Sequence, residues 1–513
     1  MFSKISSCGI RGVEGYPVTV EADVSDGLPG FIMVGYLSEE VREAQERVRT
    51  ALKNSGFSLP PRKVTINLSP ADIRKEGTAF DLAIATAVLC CLGQIETEHT
   101  GECTFIGELG LNGKIKPVKG ILSRVYAAIE RGSRRCFLPQ ENVLEGTAVK
   151  GIEIVGVNEL KEMVELLAHP EKIKGQRFDG SLFTEEERIR YDVDFSELNG
   201  QKMVKRASSV AAAGMHNILY LGPAGTGKTM AAKRLPTIMP PITLEESIQV
   251  SKIYSICGLL PKDKPLLTTR PFRNPHHSIT SQALVGGGRN PKPGEVSLAS
   301  GGVLFLDELT EFPVRILDLL RQPMEDRKIT VARLNGAIEF PADSMLAAAM
   351  NPCKCGHYPD RSRCTCTDTQ IRQYLSRVSG PFLDRMDIGV EVSPVSYEDL
   401  KGGNERENSE SMRKKVWEAR QIQADRFKSG DTKFNSQMGK EQVREFCHLS
   451  KEDEAFLKAV YQKYGFSARA YDKILKTART IADLDGKKQI RIEHISEAVS
   501  YRSFERKYWG FRV

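Results

Sequence analysis

Three groups of residues in this chain have the types and spacing to do chemistry. The first is "ILYLGPAGTGKTMAAKRL". Ile218 to Leu221 forms an apolar strand pattern, and Gly222, Pro223, Ala224, Gly225, Thr226 and Gly227 follow it. Glycines at 222, 225 and 227 remove Cβ atoms from a turn whose backbone N–H groups can then wrap phosphates at the start of the next helix. Lys228 then reaches the β- and γ-phosphates of a nucleoside triphosphate such as ATP, and the Thr229 hydroxyl serves Mg²⁺. The second group is "GGVLFLDELTEF", an apolar run ending in Asp307 and Glu308. Two carboxylates at the end of a buried strand suit a metal held through water (Asp307) and a polarised attacking water (Glu308). A further apolar run, "SMLAAAMN", ends in Asn351, where a polar side chain can meet the γ-phosphate or that water. The third group is "MNPCKCGHYPDRSRCTC". Cys353, Cys355, Cys364 and Cys366 make two Cys-x-Cys pairs across a short loop. Four clustered thiolates suit a closed, structural metal site, and Zn²⁺ is the expected ion. Iron also accepts thiolates.

Such residues need a scaffold, and the chain is long enough for one. Its 513 residues suggest several domains, with 40% hydrophobic and 27% charged residues, an ordinary globular balance. No apolar run is long enough to span a membrane, and the opening "MFSKISSCGIRGVEG" does not read as a signal peptide. A cytoplasmic protein is expected, whose 11 cysteines are reduced thiols or metal ligands. The formal charge of +7 permits an anionic partner without requiring one.

Strand-like and helix-like patterns alternate from residue 1 to 169, so this block is expected to be α/β or α+β. A charged, aliphatic-poor stretch at 170–193 reads as a linker. Residues 194–394 have the strand–loop–helix rhythm of a nucleotide-binding α/β domain, with the cysteine loop at 353–366 inside it. Residues 395–513 are patterned almost entirely as helix. Within the second block, "ITVARL" and "AIEFPA" flank Asn335-Gly336, which predicts a β-hairpin.

Together these motifs resemble the AAA+ ATPases, and more narrowly their magnesium-chelatase-like branch. "RPFRNPHHSITSQALVGGGRNPKPGEVSLASGGVLFLDEL" resembles that branch's helix-2 insert, and "MEDRKITVARLNGAIEFPADSMLAAAMNP" its hairpin before the sensor strand. Across essentially the whole chain the sequence is similar to the bacterial YifB/ComM family. The resemblance implies an arginine finger, Arg385 in "SGPFLDRMDI", that enters a neighbour's ATP site. It implies a second sensing arginine, Arg469 in "YGFSARAYDKILKTARTIADL", at the start of a helix of the C-terminal lid, and Gln201 near the adenine. It therefore implies a homo-oligomer, a hexameric ring. Residues 1–169 resemble the proteolytic domain of Lon protease, but Ala79 stands where that family has its serine nucleophile and Leu122 where it has its lysine base. The block is expected to be a hydrolase fold without its Ser–Lys dyad, and the nearby Thr78 and Ser123 hydroxyls are expected to be merely polar.

Basic residues cluster on three inserts: Arg270, Arg273, His276, His277, Arg289 and Lys292; Lys328 and Arg333; and Lys354, Arg361 and Arg363 in the cysteine loop. A nucleic-acid backbone is the expected partner for them. The resemblance implies an ATP-driven motor that moves along DNA and drives branch migration of recombination intermediates, including those formed by transforming DNA. Three alternatives remain: a magnesium-chelatase-like ATPase, a chaperone-like ATPase that remodels a protein partner, and a regulatory ATPase that is no motor.

Overall fold

The computed structural model describes residues 1–180, 183–288, 290–333, 336–395, 407–428, 430 and 432–510. Two compact units account for them. The first comprises residues 1–184 and 243–268; the second comprises 185–242 and 269–513. Among the described residues no helix is long and apolar enough to cross a membrane.

The first unit is built on nine strands: β1 (Phe2–Arg11), β2 (Glu14–Ser25), β3 (Gly30–Val34), β4 (Lys63–Ser69), β5 (Cys103–Phe105), β6 (Glu108–Leu109), β7 (Ile115–Lys116), β8 (Arg135–Pro139) and β9 (Glu153–Val157). Seven of them form one mixed sheet in the order β3-β4-β2-β1-β5-β8-β9, while β6 and β7 pair separately. From Val18 on, β2 alternates buried and half-buried residues, as a sheet with one face on a core should. That core is covered by the helix Asp81–Cys91, whose residues are buried all round except Cys90.

The positions matching the Lon dyad lie in this core. Ala79 and Leu122 are buried in one apolar cluster with Cys8, Ile106 and Val125. The neighbouring hydroxyls are already committed. Ser123 donates to the Val13 carbonyl at 2.7 Å, and Thr78 donates to the Glu108 carboxylate.

Residues 243–268 lie within the sequence of the nucleotide-binding block, yet they pack into the first unit. The reason is local. The helix Leu244–Cys257 opens with a capping box, in which the Glu246 amide donates to Thr243 Oγ1 and the Thr243 amide to Glu246 Oε2. Leu244 and Ile248 then pack on the apolar cluster around Leu122. Lys252 pairs with Glu14 at 2.8 Å and lies over the Tyr126 ring, while Ser255 donates to the buried Glu145.

The second unit carries a five-stranded sheet of β10 (Ile218–Leu221), β11 (Phe272–Arg273), β12 (Val303–Leu306), β15 (Met345–Met350) and β16 (Ile388–Glu391) in the order β11-β12-β15-β10-β16, all parallel. Every residue of β10, β12 and β15 is buried, the pattern of strands covered on both faces. Between β12 and β15, β13 (Lys328–Arg333) and β14 (Gly336–Pro341) pair antiparallel as a hairpin; Gly336 already pairs with Arg333, so the link falls at residues 334 and 335, outside the described residues, one position before the expected Asn335-Gly336. The C-terminal portion is helical, with helices at Ser409–Arg426, Lys440–Phe446, Lys451–Tyr464, Ala468–Leu484, Ile492–Ser500 and Phe504–Trp509. The first of these is tied to the core where Thr237 Oγ1 donates to Ser409 Oγ and the Ser409 amide donates to Asp194.

Candidate active site

β10, β12 and β15 are neighbours through β15, so their carboxyl ends bring three sequence-distant motifs to one place. This is where an open parallel sheet binds ligands. The loop 222–227 leaves β10 and enters the helix Lys228–Ile238. Gly225 and Gly227 have φ of +76° and +96°, a backbone that side-chain-bearing residues rarely adopt. Lys228 Nζ donates to the carbonyls of Gly222 (2.7 Å) and Pro223 (2.6 Å) and to Asn351 Oδ1 (3.0 Å). Burial pushes the Lys228 ammonium below the usual lysine range, and Asp307 partly offsets this. An anion beside Lys228 would reverse the first effect.

Thr229 Oγ1 donates to Asp307 Oδ2 at 2.8 Å. A hydroxyl and a carboxylate oxygen at one point are the hard ligands Mg²⁺ takes, so these residues fit that ion. Glu308 adopts the left-handed region, φ +50°, and its amide donates to Asp307 Oδ1 at 2.9 Å. Backbone in this region is costly for a non-glycine residue and concentrates at functional sites. Here it turns the Glu308 carboxylate outward, 68% exposed, with His277 Nδ1 3.9 Å from its Oε2.

Arg385 and Arg469 lie at the other end of the sheet. Both line a cavity of about 630 Å³ with Asn217, Glu325, Asp387 and Lys473. Asn217 precedes β10, whereas the phosphate loop follows it. A strand of this length separates the two by about 13 Å. Arg385 is buried. Its guanidinium donates to the carbonyls of Arg321 (3.1 Å) and Pro381 (2.7 Å) and pairs with Glu325 at 2.8 Å. Arg469 is exposed at the start of its helix. Beneath them Asp387 pairs with Lys473 at 2.8 Å and accepts the Asn217 amide at 2.9 Å. Burial opposes the ionisation of Asp387, but the Lys473 ammonium and His216 hold it well below the usual carboxylate range. Gln201 reaches the far end of β16, where its amide donates to the Ser393 carbonyl.

The Sγ atoms of Cys353, Cys355, Cys364 and Cys366 all lie within 4.8 Å of one another. The sulfurs of Cys353 and Cys355 are 3.3 Å apart, those of Cys353 and Cys364 3.8 Å, and those of Cys355 and Cys364 3.5 Å. A tetrahedral Zn²⁺ with 2.3 Å bonds to sulfur requires sulfur separations of about 3.8 Å. The Tyr358 amide donates to Cys353 Sγ at 3.4 Å. Burial raises the Cys355 thiol, but the His357 amide, the Cys353 sulfur, the Thr365 amide and the Cys364 sulfur together outweigh it and bring the thiol down to about 5. The cage therefore fits a thiophilic cation. Sequence reasoning missed where this loop lies. A Cβ added at Gly356, which has φ +83°, would lie 3.6 Å from Pro223 Cα and 3.7 Å from the Ala224 amide nitrogen, so this stretch of the loop passes within one methyl group of the phosphate loop. No spacing rule announces that approach.

The basic inserts are sorted by their partners. Arg270 is buried, donating to the carbonyls of Pro240 and Gly301. Arg273 makes a two-point pair with Glu295 at 2.6 and 2.7 Å. Arg361 pairs with Asp368 and caps the Cys366 carbonyl at 3.2 Å. All three are engaged within the chain, a use that the charge clusters alone did not foretell. Lys328 pairs across the hairpin with Glu339 at 2.8 Å. His276 stacks on His277, with ring centroids 4.0 Å apart, beside Glu308. Lys292, Lys354 and Arg363 are exposed. Arg289 and the Arg333 side chain lie outside what is described.

A glycine-rich loop on a parallel sheet, an Asp-Glu strand end beside it, an asparagine at the end of the strand between and a helical C-terminal portion are the marks of the AAA+ class of ATPases. Residues 194–400 match the family model for magnesium chelatase, subunit ChlI; residues 20–142 match that for subunit ChlI of Mg-chelatase; and 406–502 match the subunit's C-terminal model. The chain is 41% identical over 505 residues to competence protein ComM of Haemophilus influenzae, covering 96% of each chain. It is 39% identical over 497 residues to the YifB protein of Escherichia coli, again covering 96% of each. Lon protease 2 of Bacillus subtilis is 30% identical over 129 residues, 24% of this chain and 22% of that one. This chain belongs to the YifB/ComM family of magnesium-chelatase-like AAA+ ATPases, with a Lon-like N-terminal domain.

Proposed function

We propose that the protein is a ring-forming motor that spends ATP on moving along DNA and driving branch migration of recombination intermediates. In this reading Lys228 and the loop Gly222–Gly227 hold the β- and γ-phosphates, and Thr229 and Asp307 hold Mg²⁺, which supplies charge neutralisation at the phosphates. Glu308 takes the proton of the attacking water and Asn351 aligns that water with the γ-phosphate. The observation that carries the reading is the split of the site. Arg385 and Arg469 share one cavity a strand's length from their own phosphate loop. They suit a nucleotide held by a second copy, which makes a closed ring, a hexamer, the working form.

The DNA assignment is supported by the likeness to a protein named for competence and by the exposed Lys292, Lys354 and Arg363 on the inserts. The thiolate cage holds Zn²⁺ as a structural ion. The first unit has no peptidase activity, because apolar core fills the dyad positions. It serves assembly or substrate contact. The proposed boundaries are a Lon-like domain at 1–169, a linker at 170–193, an ATPase core at 194–394 and a lid at 395–513. The deciding experiment measures ATP hydrolysis with and without a synthetic branched DNA, with strand exchange read on a gel. DNA-stimulated hydrolysis with ATP-dependent exchange is expected. Hydrolysis indifferent to DNA, without exchange, sinks the DNA role and favours remodelling of a protein partner.

A further inference from the structure

The thiolate cage does more than staple a surface loop, because its two ends meet the nucleotide site. One end is covalent. β15 ends at Met350; Asn351 accepts Lys228 Nζ at 3.0 Å; and the buried Cys353 stands two residues further on. The other end is a close approach, where a methyl group added at Gly356 would touch Pro223 and Ala224. Between Asn351 and the helix Asp368–Leu375 the chain has no helix or strand, so the sulfur cluster is its main cross-link. Its outer tie, Arg361 to Asp368, is an exposed ion pair of the kind that contributes little. Where the two loops meet lies a cavity of about 410 Å³ lined by Gly222, Pro223, Pro352, Tyr358, Val392 and Tyr508. The two loops are therefore not packed solidly together, and the cage sets how near they stand.

We propose that the cage and the phosphate loop are thermodynamically linked. A metal ion held by Cys353, Cys355, Cys364 and Cys366 keeps Gly356 close to Pro223–Ala224 and Asn351 against Lys228. Loss of the ion weakens nucleotide binding. Linkage is reciprocal, so bound nucleotide raises the affinity for the ion by the same factor that the ion gains in nucleotide affinity. The inference rests on the reading of the four thiols as a metal centre. The link needs no change of oxidation state and no covalent step, only closure of a loop that both sites share.

The test uses the full-length chain under reductant. Metal content is measured first by elemental analysis. Affinity for the fluorescent nucleotide mant-ADP is then compared before and after removal of the ion, and after Zn²⁺ is added back. Affinity for the ion is measured by equilibrium competition with a chromogenic chelator, with and without ADP. One ion per chain, mant-ADP affinity about tenfold weaker without it, restoration by Zn²⁺, and ion affinity raised about tenfold by ADP are expected. An ion that binds while mant-ADP affinity ignores it overturns the link and leaves the metal centre standing. Failure to bind any ion overturns both. In case the stripped protein unfolds, Gly356→Ala keeps all four thiols but strains the φ +83° seat. It is expected to weaken mant-ADP binding several-fold. Unchanged affinity in that variant overturns the link whether or not the ion is retained.

Discussion

The two ends of the five-stranded sheet make opposite use of their charged residues. At the carboxyl end Lys228, Thr229, Asp307 and Asn351 are hydrogen-bonded to one another or to the loop that would hold phosphate. Nothing there needs to move far for a nucleotide to enter. At the amino end Arg385 is bound to Glu325 and two carbonyls, over the Asp387–Lys473 pair. That end is built like a foundation, and its arginines have no phosphate of their own within reach. In the proposed reading one end is a site in waiting, and the other is half of a site whose remainder sits on another copy.

The strongest way to break this comparison is to disable each end separately. Lys228→Ala should abolish mant-ADP binding, because the loop loses its only side-chain cation. Arg385→Ala should leave mant-ADP binding near wild type and cut ATP turnover by about a thousandfold, the scale of an arginine supplied in trans. Mixed in equal amounts, these two inactive variants should regain turnover, since a Lys228→Ala subunit still offers Arg385 to its neighbour. If mixed oligomers form and stay inactive, the two ends serve one chain and the comparison fails.

Glu308→Gln should bind nucleotide normally and slow turnover by about a hundredfold, the usual worth of a positioned base. Single-turnover kinetics would show it, and normal hydrolysis would remove Glu308 from its role. Asp387→Asn tests the foundation rather than the chemistry. It leaves the half-buried Lys473 ammonium without its carboxylate partner, at a cost of about 2 kcal/mol in denaturant unfolding at pH 7. The folded-state carboxyl titrates below the ordinary carboxylate value of about 3.9, so its contribution is present above that pH and is lost as pH falls further. The gap between wild type and variant should therefore hold from pH 7 to 5 and narrow in acid. The smallest effect is expected of Glu325→Gln, which loosens Arg385 and should alter turnover by about twofold without touching mant-ADP affinity.

The legibility of the sequence followed contact range. The phosphate loop is contiguous, and its glycines, Lys228 and Thr229 were readable by position. Asp307 and Asn351 were readable because each ends an apolar run, and a parallel sheet gathers such ends. The thiolate cage was readable as a count of four. Its approach to Pro223 was not, because it depends on where a strandless loop folds back. Charge clusters misled for a similar reason. Arg270, Arg273 and Arg361 spend their hydrogen bonds on carbonyls and acids that no local pattern reveals. The helix Leu244–Cys257 was assigned to the ATPase block because it follows the phosphate-loop helix in sequence; its burial against the Leu122 cluster is long-range.

That helix sets a rule for cutting the molecule. Because residues 243–268 complete the first unit, the polypeptide passes from one unit to the other three times. A nick near residue 184 would not free the first unit. Its last helix would remain part of the other fragment, held to its home by Lys252, Ser255 and an apolar face. A Lon-like piece ended at residue 169 would be missing a wall, and a piece begun at residue 194 would carry a stray one. Transplanting either half between relatives requires taking the helix along with the first unit, whatever the order of residues along the chain suggests.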